Sequence, residues 1–213
     1  MALKLYHYVH CPFCIRVRMV LGFLNLPYES IVLPYDDEET PIKLAKKKML
    51  PIMDFGDGFI TNESLIIIEH LDKDDSLKTS LLTGELRIQI EGMLNELGHN
   101  IHSLCMPYFI KTKEFNEKSR EYFVKKKEAK RGLFENLILN RENFLVPLEE
   151  DLEILEEQIG PYFLGAEFSI FDILIASHLW GLYLLPDFSF SENLEVYLQD
   201  VKDLCKFEYH QDL

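Results

Sequence analysis

Cys11-Pro12-Phe13-Cys14 places two thiols three residues apart, with a proline directly after the first, where a strand-like run from Leu3 to Val9 gives way to a helix-like one. That placement suits thiol-disulfide exchange. A cysteine at a helix N-cap directs its sulfur at backbone N–H groups that lack an intrahelical acceptor, and at the positive end of the helix dipole. Both favour thiolate over thiol. Proline at N1 gives up an N–H that the helix does not use and brings a φ that suits it. Pro12 and Phe13 therefore support the motif, Cys11 is expected to attack, and Cys14, one turn into the helix, to resolve. A zinc site built on four thiolates usually shows a second paired motif, whereas Cys105 and Cys205 stand alone. A structural disulfide is not expected either, because Met1-Ala2-Leu3-Lys4 leads into the strand without an apolar leader, which points to a reducing cytoplasm.

The elements that must position this pair change period repeatedly. Leu3 to Tyr8 alternates as a strand, and Cys14 to Leu24 sets Val17, Val20, Leu21 and Leu24 at helical spacing. Tyr28 to Leu33 is again strand-like. After the polar break Asp36-Asp37-Glu38-Glu39, Thr40-Pro41 starts a short helix through Leu44. Pro51 to Asp54 and Phe59 to Thr61 flank Gly56-Asp57-Gly58, a hairpin signal, and Ser64 opens an apolar helix from Leu65 to Leu71. The order βαβαββα over residues 1–72 predicts a thioredoxin-like domain. Residues 73–84, which begin in a charged stretch, read as a linker. Over 85–213 strand alternation is scarce, and helices are predicted at Glu85–Cys105, Lys118–Leu139, Pro147–Ile159 and Ser169–Leu184. Ser169-Ile170-Phe171-Asp172 is a capping box, expected to stabilise the fold and not to react. The run from Lys125 to Arg131 reads as a solvated helix face. His99, His102 and Cys105 recur every third residue, a spacing that drifts around a helix, so no metal site is expected there.

At 213 residues and 47% hydrophobic the chain can bury a sizeable core. Its formal charge of −14 repels nucleic acid and anionic membrane at long range, so neither is an expected partner. The longest apolar stretch, Ile170 to Pro186, contains Asp172 and His178 and is short for a membrane span, which predicts a buried core helix.

An α/β thioredoxin-like N-terminal domain bearing this motif, followed by an all-α C-terminal domain, resembles the glutathione transferase architecture with a glutaredoxin active site, and specifically the bacterial glutaredoxin 2 family. The resemblance is carried by His10-Cys11-Pro12-Phe13-Cys14, by Asp36 to Pro41, by Leu50-Pro51-Ile52, by Glu63-Ser64 and by Tyr122 to Ala129. It implies a glutathione-disulfide oxidoreductase that uses glutathione as co-substrate and no metal, acts on glutathionylated or disulfide-containing proteins, and is a monomer. It further implies that Pro51 is a cis-proline, that the Leu50 backbone pairs with the cysteinyl unit of glutathione, and that Glu63 and Ser64 hold its γ-glutamyl group. For the glycine carboxylate, Lys48 is the first choice of cation and Arg16 the second. Two positions depart from the family pattern. Phe13 stands where tyrosine is commoner, keeping the aromatic surface without the hydroxyl, and Asn62 stands where proline is frequent. Two other functions belong to this resemblance: conjugation of glutathione to an electrophile, against which Cys11 argues, and iron-sulfur cluster binding, against which Pro12 argues.

Overall fold

Leu5 and His7 share one face of β1 (Leu3–His7) and both are buried, the outcome of a two-residue period in a central strand. The structure is a computed structural model and describes residues 3–209. Parallel to β1 runs β2 (Tyr28–Val32), and on its other side lie antiparallel β3 (Ile52–Asp54) and then β4 (Ile60–Thr61), giving the order β2-β1-β3-β4. The β1 to β2 crossover is α1 (Pro12–Phe23), α2 (Glu39–Ala45) joins β2 to β3, and α3 (Ser64–Leu71) follows β4. This is the βαβαββα order the sequence predicts. Between β3 and β4, Gly56 and Gly58 take φ of 76° and 98°, conformations that suit glycine in a tight turn.

The rest is helical: α4 (Gly84–Phe109), α5 (Glu117–Arg131), α6 (Phe134–Leu139), α7 (Glu142–Gln158), α8 (Ile170–Leu179) and α9 (Glu192–Leu204). Three expectations need correction. Lys118–Leu139 is two helices, because Gly132 at φ 90° ends α5 and the Glu128 carboxylate caps the next helix by accepting from the Phe134 amide at 2.8 Å. Pro147 lies inside α7: the Phe144 and Leu145 amides already bond the Arg141 carbonyl, so the helix begins before the proline. Past Leu179 the chain tightens into a 3-10 turn, Trp180–Leu184. The sequence reading also passed over α9, although Ser191 caps it at 3.2 Å from the Leu194 amide and Leu194, Tyr197, Leu198 and Val201 make its buried face.

The capping box at Ser169 and Asp172 forms as expected. Asp172 is fully buried, and besides Ser169 it accepts from the Phe163 amide at 2.8 Å and the Tyr197 hydroxyl at 3.0 Å, which ties α8 to α9. All of α8 is buried, and among the described residues no helix is long and apolar enough to cross a membrane.

Buried side chains of α1 and α3, such as Ile15, Met19 and Ile67, continue without a break into those of α4, α8 and α9, such as Ile90, Ile173 and Leu198. The tightest point of this junction is Gly22. A Cβ there would lie 1.9 Å from the Cys205 carbonyl oxygen, and Lys206 donates to Asn25 beside it at 2.8 Å. Gly22→Ala is expected to destabilise the protein by about 1–3 kcal/mol through overpacking. A melting temperature equal to that of the wild type would show that α1 and the segment after α9 part freely.

Candidate functional site

The turn out of β1 delivers Cys11 as the N-cap of α1 in extended backbone, with Pro12 as the first helical residue. Cys14 then falls on the inner side of the helix, fully buried against Leu33, Leu50 and Ile52, and its sulfur accepts from the Tyr8 amide at 3.4 Å. Cys11 stays partly exposed, and both are thiols. Their environments drive them apart. The Cys14 thiol donates to Cys11 and, with the amides of Cys14 and Phe13 and the charge of Lys127, holds Cys11 down to about 7 against the opposing effect of burial. Burial, and then the Cys11 sulfur, push Cys14 well above the ordinary thiol value. No first-turn amide caps Cys11 at full hydrogen-bond geometry, and the leading donor is the partner thiol.

Opposite the pair, the Leu50-Pro51 peptide bond is cis. Leu50 and Phe13 border two clefts, one on either side. The first, about 600 Å³, is lined by Pro51, Asn62, Glu63, Ser64 and Arg16 among others. Here Glu63, not Ser64, is the N-cap of α3, and Ser64 is its buried first residue. Arg16 is buried, its guanidinium 4.6 Å from the Phe13 ring centroid, and burial lowers it to about 10. Arg16 Nε and Asn62 Nδ2 are both buried, and neither meets an acceptor among the described residues.

The second cleft, about 580 Å³, opens on Cys11 itself. Lys48 stands here, donating to the Tyr35 carbonyl at 2.7 Å, 3.6 Å from Glu38, and 3.6 Å from the Tyr122 ring centroid. Lys48 and Arg16, the two cations chosen from the sequence, therefore lie on different clefts.

The structure also brings in residues the sequence reading did not assign to the site. Lys125, Lys126 and Lys130 are exposed, as a solvated face would be, yet Lys127 and Arg131 are partly buried, and Lys126, Lys127, Lys130 and Arg131 all line the Cys11 cleft. A signal for this exists in the spacing: Tyr122, Lys126 and Lys130 form one i, i+4 row, and Phe123, Lys127 and Arg131 the next. Behind Cys11, Tyr35 stacks on Tyr8 at 4.1 Å and on Phe115 at 4.8 Å, while His10 shares a 2.8 Å hydrogen bond with Thr112, so the loop after α4 braces the turn that carries Cys11. Burial holds His102 down to about 3 and hence neutral. Among the described residues no group of three or more His, Cys, Asp or Glu is placed to hold a metal ion.

Comparison with known proteins yields two family matches: residues 5–79 to the glutathione S-transferase N-terminal domain and residues 89–212 to the glutaredoxin 2 C-terminal domain. The chain is 34% identical over 200 residues to glutaredoxin 2 of Escherichia coli strain K12, covering 92% of each chain. The crystal structure of glutaredoxin 2 from Salmonella typhimurium in complex with glutathione is similar, with a TM-score of 0.85, 32% identity and coverage of 98% of this chain and 96% of that one. A glutathione S-transferase of Ceriporiopsis subvermispora, also in complex with glutathione, has a TM-score of 0.77 at 18% identity over 97% of this chain and 98% of that one, a likeness of fold alone.

Proposed function

This chain belongs to the glutaredoxin 2 family, and from that premise we propose that it is a glutathione-dependent disulfide oxidoreductase with Cys11 as nucleophile and Cys14 as resolving thiol. The observation that carries this is the division of the pair into an acidified, accessible Cys11 and a buried Cys14 kept protonated. Cys11 thiolate attacks the glutathione sulfur of a mixed disulfide, forming the Cys11–glutathione bond and expelling the other thiol as thiolate. A second glutathione thiolate attacks the same glutathione sulfur, releasing oxidised glutathione and Cys11 thiolate. With a protein disulfide, Cys14 gives up its proton and attacks the Cys11 sulfur of the mixed intermediate, freeing the reduced protein and leaving Cys11–Cys14 oxidised.

Glutathione is assigned to the first cleft, its cysteinyl backbone on Leu50 beside the cis Pro51, its γ-glutamyl group at Glu63 and Ser64. Arg16, a cation lining the same cleft, supports that end as the anion-holding one. An extended tripeptide anchored there runs past Leu50 with its glycine directed at the cleft that contains Lys48, which supports Lys48 over Arg16 for the glycine carboxylate. Residues 1–72 thus carry the chemistry, and residues 85–213, reached through 73–84, supply the far wall of the second cleft. Membership of this family supports action as a monomer, and the need for a reduced glutathione pool supports a cytoplasmic setting.

The test is turnover of a small glutathione mixed disulfide coupled to glutathione reductase and NADPH. Wild type is expected to turn over. Glu63→Gln and Ser64→Ala are each expected to raise KM for glutathione about tenfold, the loss of one hydrogen bond to a charged group, with kcat nearly unchanged. A wild type that leaves the disulfide intact yet conjugates glutathione to an electrophilic aromatic compound would make the protein a transferase instead.

A further inference from the structure

The cleft that opens on Cys11 carries a charge opposite to that of the whole molecule. Against a formal net charge of −14, its walls present Lys48, Lys126, Lys127, Lys130 and Arg131, with Glu38 as the only carboxylate among the lining residues. Glu38 is engaged by the Tyr122 hydroxyl and by Lys48. Lys126, Lys127, Lys130 and Arg131 make no ion pair among the described residues. Lys126 and Lys127 lie 5.4 Å from the Tyr122 ring and 5.3 Å from the Phe123 ring, Lys127 also acts by its charge on Cys11, and Arg131 donates to the His99 carbonyl and the Ser103 hydroxyl, each at 3.0 Å. Overall repulsion keeps acidic molecules away at a distance, so these unpaired cations act only at short range, on something already docked.

Resting on the glutaredoxin reading above, we propose that this cleft receives the half of the mixed disulfide that is not glutathione, and that it selects a cysteine set among carboxylates in an acidic segment of a glutathionylated protein. With the γ-glutamyl group in the first cleft and Lys48 engaged by the glycine carboxylate, the space left beside Cys11 is bounded by Lys126, Lys127, Lys130 and Arg131. As the Cys11–glutathione bond forms, the old S–S bond breaks and its electron pair leaves on the outgoing sulfur, here facing cations that stabilise a thiolate. Lys126 and Lys130 sit exposed, where they can reach carboxylates flanking that sulfur. A peptide fits better than a small thiol because the cleft, at about 580 Å³, continues along α5 from Tyr122 to Arg131.

The experiment compares two glutathionylated peptides, identical except that the residues flanking the cysteine are Glu in one and Lys in the other. Their kcat/KM values are measured with the wild type, with the double variant Lys126→Gln/Lys130→Gln, and with Lys125→Gln, which removes a charge from the same helix outside the cleft. Wild type is expected to favour the acidic peptide by about tenfold, and each cleft lysine removed to reduce that preference by about threefold, as exposed pairs do. Lys125→Gln should keep it. Equal turnover of the two peptides by the wild type, or a preference lost equally in Lys125→Gln, would overturn the proposal. So would failure on both peptides by an enzyme that still reduces a small mixed disulfide, whereas failure on the small disulfide too would overturn the glutaredoxin reading itself.

Discussion

Cys11→Ser is expected to lower kcat/KM for a glutathione mixed disulfide by about a thousandfold or more, since a hydroxyl stays protonated near neutral pH and is a poor nucleophile toward sulfur. Cys14→Ser is expected to behave quite differently. The route through the glutathione adduct uses only Cys11, and serine keeps a hydroxyl that can donate to the Cys11 thiolate in place of the buried thiol. Turnover of the mixed disulfide should then stay within about threefold of wild type. Reduction of a protein disulfide in the absence of excess glutathione should fail, because nothing resolves the Cys11 intermediate. The measurement is the coupled assay on a small mixed disulfide, run beside single-turnover reduction of a protein disulfide. If Cys14→Ser were the inactive variant and Cys11→Ser the active one, the roles would be reversed, against the burial of Cys14 among Leu33, Leu50 and Ile52.

What the sequence made legible is what local rules determine. The thiol pair, the proline at N1 and the strand alternation of Leu3 to His7 are settled within a few residues, and the structure places them as expected. The capping box at Ser169 is of the same kind. The helix at Glu192–Leu204 was equally local, with a serine cap and a buried face at three and four residue spacing, so it was within reach of the same rules. The charged face of α5 was not. Whether Lys127 is solvated or set against a thiol depends on how α5 approaches the turn before α1, a tertiary relation no lysine-rich stretch reveals by composition. Lys48 and Arg16 teach the same lesson: Arg16 follows the thiol motif and Lys48 precedes Leu50-Pro51 in sequence, and only the path of the chain sends one to each cleft.

The pH dependence of Cys11 separates the two physical accounts of its acidity. With Cys11 held near 7, alkylation of the wild type by iodoacetamide should rise with pH through about 7 and level off above it, because only the thiolate reacts. The sign follows from the depressed value: below it Cys11 is a thiol and slow, above it a thiolate. Cys14→Ala removes the leading donor, favours the thiol and moves the midpoint up toward the ordinary cysteine value of about 8.5. At the limit where the whole depression is lost, the thiolate fraction at pH 7 falls about fifteenfold, while each remaining thiolate becomes about fivefold more nucleophilic, since nucleophilicity climbs with basicity at a slope of about 0.45. The net rate is then about threefold lower than wild type at pH 7 and about fivefold higher well above both midpoints, so the two profiles cross. Cys14→Ser, with a donor in place, should keep its midpoint near that of the wild type, and Lys127→Gln should shift it upward by less than Cys14→Ala does. A Cys14→Ala profile that overlays the wild type would transfer the acidity to the helix end, to the amides of Phe13 and Cys14 and the dipole behind them.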